Sequence, residues 1–80
     1  GGPASIRFTL GSAAPYQLAI YDVRGRRVRT LAAGPGVPGE SVRTWDLRDD
    51  TGARAGRGVY FVRLASAGIS STRKLVLLHR

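Results

Sequence analysis

Cysteine is absent from these 80 residues, acids are few and long apolar runs do not occur. Without cysteine there is no disulfide to staple so small a fold, no multi-cysteine zinc site and no thiol nucleophile. Nothing approaches the roughly 18 consecutive apolar residues that a membrane-spanning helix requires, so no transmembrane segment is expected. Nor does any stretch carry an apolar stripe at helical spacing, which excludes a helix longer than a turn. The one histidine, His79, stands beside the last residue and is expected in solvent, and no serine, histidine and acid fall into a triad. Gly34-Pro35-Gly36 and Gly56-Arg57-Gly58 are not phosphate cradles, because no helix N-terminus follows either of them. Enzyme chemistry is therefore not expected, nor is a cofactor. No charged-then-apolar leader opens the chain, and a start at Gly1-Gly2-Pro3 suits a fragment that has lost one.

What is present is positive charge and β-pattern. Twelve arginines and one lysine stand against five acids, for a net charge of +8. Such an excess suggests nucleic acid, anionic lipid or polysaccharide as partners. The arginines, however, are spread from Arg7 to Arg80, mostly in turns and at alternating strand positions. That is the pattern of solvated strand faces. Nucleic-acid binding would add exposed aromatics or a recognition helix, and neither is visible.

Ile6, Phe8 and Leu10 alternate with Arg7 and Thr9, which predicts a strand with one buried face. Tyr16, Leu18 and Ile20 repeat the alternation after a turn-rich Gly11 to Pro15. Asp22-Val23-Arg24-Gly25 then has the chemistry of a tight turn, with Val28 to Ala33 as the returning strand. Gly34 to Gly39 holds two prolines without backbone donors and is expected to be a loop before the strand Glu40 to Trp45. A polar turn, Asp46 to Gly52, leads past a short seventh strand around Ala53 to Ala55 into Gly58 to Leu64 and Ser71 to Leu78, which a glycine-containing turn joins.

The fold expected is all-β: one small antiparallel β-sandwich of six to seven strands, which the resemblance given below makes immunoglobulin-like. Its core is read as Ile6, Phe8, Leu10, Leu18, Ile20, Val28, Leu31, Trp45, Val59, Phe61, Leu64, Leu75 and Leu77. Both phases of the fifth strand are apolar, Val59 and Phe61 against Tyr60, Val62 and Leu64, so that strand is expected to be central. Tyr16, Tyr21 and Tyr60 are read as strand or rim residues whose hydroxyls need partners if buried.

Ile6-Arg7-Phe8-Thr9-Leu10, Leu18 to Arg26, Val28 to Leu31, Trp45-Asp46, Asp49 to Gly52, Gly58 to Leu64 and Lys74 to Leu78 together form an ordered set covering nearly the whole chain. The set resembles the C-terminal sorting domain of type IX secretion substrates and the related immunoglobulin-like domain of the flagellar hook-capping protein. The resemblance implies a domain at the C-terminus of a larger exported bacterial protein, at the cell surface or secreted. It implies a non-catalytic sorting and anchoring role, with the cargo attached to anionic surface lipopolysaccharide or released. The secretion machinery would read the terminal hairpin through Gly58, Val59, Tyr60, Phe61, Arg63, Leu64, Lys74, Leu75, Val76, Leu77 and Leu78. Arg43 stands where that family usually has an apolar residue two positions before the tryptophan, and a β-bulge near Thr44 would restore the inward face.

The alternative is an immunoglobulin-like interaction module that packs on a neighbouring domain or self-associates through its edge strands. Asp46, Asp49 and Asp50 are the one acidic grouping. They fall short of the six to eight oxygens of a tight calcium site and read first as turn and capping residues, with calcium the weaker reading.

Overall fold

The computed structural model of the chain describes residues 3–78, so His79 and its expected solvation lie outside the described residues. Six strands follow one another: β1 (Ala4–Leu10), β2 (Tyr16–Asp22), β3 (Arg27–Gly34), β4 (Gly39–Trp45), β5 (Gly58–Ser66) and β6 (Ile69–Leu77). All pairings are antiparallel, in a two-stranded sheet β1-β4 and a four-stranded sheet β3-β2-β5-β6. The two sheets close on a core centred on Trp45, Leu18 and Ile20, each fully or almost fully buried.

Local chemistry explains the strand ends. At the β2–β3 turn the Asp22 carbonyl accepts from Gly25 N–H at 3.0 Å, while its carboxylate accepts from the N–H groups of Arg24 (2.9 Å) and Arg26 (3.0 Å). Gly25 takes a φ of 81°, which that turn demands and which glycine adopts without penalty. The β5–β6 hairpin closes on Ala67 and Gly68, both at positive φ (52° and 77°), the two-residue turn whose twist matches the flanking strands. Residues 35–38 carry the chain from one sheet to the other. Gly36 is buried there, and a Cβ on it would lie 2.6 Å from the Ala14 carbonyl oxygen.

Four expectations need correction. The fifth strand turns Tyr60, Val62 and Leu64 onto the core and leaves Val59 and Phe61 on the opposite face. Hydrophobicity alone did not distinguish the phases; the register of Leu18 against Leu64 and Ile20 against Val62 does. The seventh strand is a single bridge between Arg48 and Arg54. There is no bulge at Thr44, since β1 and β4 pair without a register shift from Ala4–Trp45 to Leu10–Gly39. Arg43 consequently lies on the same face as Trp45, yet stays exposed because β4 is an edge strand. Finally, the turn before β5 is not wholly polar. Leu47 is buried, its backbone at φ 63°, and Ala55 joins the core beside it.

In the lettering of immunoglobulin domains, β1 and β4 take the places of B and E, and β3-β2-β5-β6 those of C′, C, F and G. Among the described residues, no strand occupies the A position beside β1.

Candidate functional site

The terminal hairpin divides its residues between two faces, because side chains alternate along a strand. Tyr60, Leu64, Leu75 and Leu77 point to the core, Leu77 buried opposite Gly58. Val59, Phe61, Arg63, Lys74 and Val76 lie on the outer face, in the cross-strand pairs Val59–Val76 and Phe61–Lys74. Leu78 follows β6 and is exposed. The sequence-predicted site residues therefore do not form one surface: Tyr60, Leu64, Leu75 and Leu77 hold the fold together.

The outer face is apolar at its centre. Tyr21 on β2 stands directly opposite Phe61, with Val59 and Val76 toward the β6 edge, the latter 49% exposed. Val23, 68% exposed in the β2–β3 turn, walls a shallow hollow of about 280 Å³ together with Tyr21, Phe61, Arg63 and Thr72. Arg63 and Lys74 put cations on this surface, and neither has an acidic partner among the described residues. Such a face can bury apolar area against another protein surface and attract acidic groups at its border. Sequence reasoning named Val59, Phe61 and Val76 but missed Tyr21 and Val23. Their signal was the second apolar phase of β2 and an apolar residue in a turn.

Inside, Tyr60 holds the start of β5. Its hydroxyl donates to the carbonyl of Gly56 at 2.6 Å, four residues upstream, and its ring meets the Trp45 indole edge-on at 5.5 Å. This is the tyrosine corner found in sandwiches of the immunoglobulin type. Trp45 is thus core, with its indole N–H donating to the Arg48 carbonyl at 2.9 Å.

The acidic residues are occupied as braces. Asp49 accepts at one carboxylate oxygen from the Thr51 hydroxyl (2.6 Å) and from the N–H groups of Thr51 (2.9 Å) and Ala53 (3.0 Å). The Thr51 hydroxyl first, and then these backbone donors, hold its carboxyl below its ordinary value against the opposing effect of desolvation. Asp22 is likewise lowered, chiefly by the Arg26 N–H. Asp50 accepts from Thr30 N–H (3.1 Å) and pairs with Arg27 (3.5 Å), and Asp46 pairs with Arg29 (3.1 Å). Arg29 also donates to the carbonyls of Arg48 (3.3 Å) and Asp49 (3.4 Å), so the β4–β5 loop is fastened to β3. No group of three or more His, Cys, Asp or Glu side chains placed to hold a metal ion occurs among the described residues. No helix of the described residues is long and apolar enough to cross a membrane.

Two antiparallel sheets, the C′-C-F-G strand order and the tyrosine corner define a small immunoglobulin-like sandwich with an apolar outer face. The chain belongs to the FlgD Ig-like domain family, whose model matches residues 1–69. This supports the hook-capping side of the resemblance, and nothing found supports the type IX side. The match ends at the start of β6, the strand on which the sorting reading leans most. No curated protein and no solved structure gives a significant match.

Proposed function

We propose that this domain is a non-catalytic interaction module of an exported bacterial protein, which packs the outer face of β2, β5 and β6 on a neighbouring domain or subunit. The observation that carries this reading is the cluster of Tyr21, Phe61, Val59 and Val76 on the face away from the core, which no second layer covers among the described residues. Membership of an immunoglobulin-like family agrees with a structural rather than catalytic role. The test is Phe61→Asp in the full-length protein. Limited proteolysis should then separate this domain from its neighbour faster than in the parent, while the tryptophan fluorescence of the isolated domain stays native. Unchanged protease sensitivity would refute the reading.

A narrower reading, sorting by type IX machinery, draws support from the unpaired edge of β6, to which a strand of a receptor would add. Deleting the tail cannot test it, because Leu75 and Leu77 are core residues and truncation would unfold the sandwich. The outward pair Lys74→Glu and Val76→Asp keeps the core intact. Undiminished secretion of cargo by that variant would eliminate sorting through this hairpin.

A further inference from the structure

The two sheets are unequal, and the mismatch opens a groove on the side away from β3. Among the described residues β1 is hydrogen-bonded only to β4, which leaves its other edge unpaired, and β6 ends the opposing sheet on the same side. Between these edges lies a groove of about 410 Å³ floored by Ile6 and Phe8 of β1 and by Val62, Leu64 and Leu75 of the other sheet. Its rim carries Arg7, Arg73 and Lys74 against Glu40, which already meets Arg7 at 3.9 Å. Neither Arg73 nor Lys74 has an acidic partner among the described residues. The inward positions of β6 follow the same division. Leu77 is buried and Leu75 half-buried, whereas Ser71 and Arg73 are polar and exposed.

We propose that this groove takes an extended acidic segment of another polypeptide as an added strand beside β1, in the vacant A position of the sandwich. Three features select that occupant. An unpaired strand edge supplies main-chain donors and acceptors in a row, which only another extended backbone can satisfy together. The floor is apolar and the strand period is two, so every second side chain of the occupant enters the groove. Those between them point outward beside Arg7, and the segment's margin runs past Arg73 and Lys74, which favours Asp and Glu at the alternate positions. A second copy of this chain is a poor occupant, since each copy carries a net charge of +8.

The inference rests on the reading of the domain as an interaction module but uses a different surface. The probe is a capped peptide of about ten residues alternating valine and glutamate, long enough to span the seven residues of β1. Titrated into the isotope-labelled domain, it should shift the amide signals of residues 5–9 and 71–75 and leave those of Tyr21 and Phe61 in place. R73E should weaken binding by about fivefold, and raised salt should weaken it in the parent. F61T, which removes the outer-face ring without placing a charge opposite Lys74, should leave it unchanged, so that failure of the outer-face reading and failure of this one are told apart. Absence of saturable binding, equal binding of a valine and lysine peptide, or shifts confined to the outer face would each overturn the proposal. So would a longer form of the protein whose own upstream residues pair with β1 and exclude the peptide.

Discussion

Asp49 shows how much one side chain does in this domain. Three donors converge on a single oxygen of its carboxylate, from Thr51 twice and from Ala53, and they hold the β4–β5 loop in the shape that buries Leu47 and Ala55. Because those donors favour the ionised form, the folded carboxyl titrates below 3.8, its ordinary value. In the window below that value the unfolded chain binds the proton and the folded chain does not, so stability falls as the pH falls. Denaturant unfolding of the parent should therefore weaken progressively as the pH drops below 3.8. Asp49→Ala, which loses the linkage, should differ most from the parent at neutral pH and converge on it in acid. Asp22 is lowered as well and keeps its share of the acid sensitivity in both proteins, so the difference between them isolates Asp49. A gap independent of pH would show that the donors do not prefer the carboxylate.

At the scale of elements, the β5–β6 hairpin hangs on two residues of left-handed backbone, and only one of them is suited to it. Gly68 adopts its φ of 77° freely, whereas Ala67, at 52°, brings its Cβ against its own carbonyl. Asparagine tolerates that region and is the preferred partner of glycine in this turn. Ala67→Asn should raise unfolding stability by about 0.5–1 kcal/mol with an unchanged denaturant slope, and a loss of stability would mean that the turn differs from the one described. The hairpin also shows what the sequence made legible. Strand positions, the two hairpins and most of the core followed from the period of two, plainest in β1, where one face is apolar and the other polar. The phase of β5 did not, because both of its faces are apolar and only pairing with Leu18 and Ile20 fixes it. Leu47 was hidden for a different reason. A left-handed residue in a polar turn reverses its side chain toward the core, and no periodicity encodes such a reversal. The outer face was half legible: its β5 and β6 members fell within the named hairpin, while Tyr21 comes from a strand some forty residues earlier and is joined to them only by the β2–β5 register. The groove beside β1 was not legible at all, since the absence of a pairing partner is a property of topology and not of any residue.

For the whole molecule the decisive quantities are the net charge of +8 and the number of open edges. Among the described residues, β1, β4 and β6 each present a side that no strand pairs, a standing invitation to edge-to-edge association, whereas the outer side of β3 is held by Asp50, whose N–H donates to the Val28 carbonyl and whose carboxylate accepts from the Thr30 N–H. Cations sit on these edges: Arg7 on β1, Arg43 on β4, Arg73 and Lys74 on β6. Two copies approaching edge to edge would bring like charges together with few acids to offset them, so the same residues that attract an acidic segment repel a second domain. The repulsion is screened within a Debye length, about 10 Å at 0.1 M salt and about 3 Å at 1 M. Sedimentation of the isolated domain should accordingly show a monomer at low ionic strength and growing association as salt rises. The double substitution Arg73→Thr and Lys74→Thr should move the onset of association to lower salt, because it removes two charges from β6 and leaves the exposed strand edge. Binding of the acidic segment must respond in the opposite sense, weakening as salt rises, since there the charges attract. If self-association and segment binding moved together with salt, hydrophobic burial rather than charge would govern both edges, and the specificity assigned to Arg73 and Lys74 would be lost.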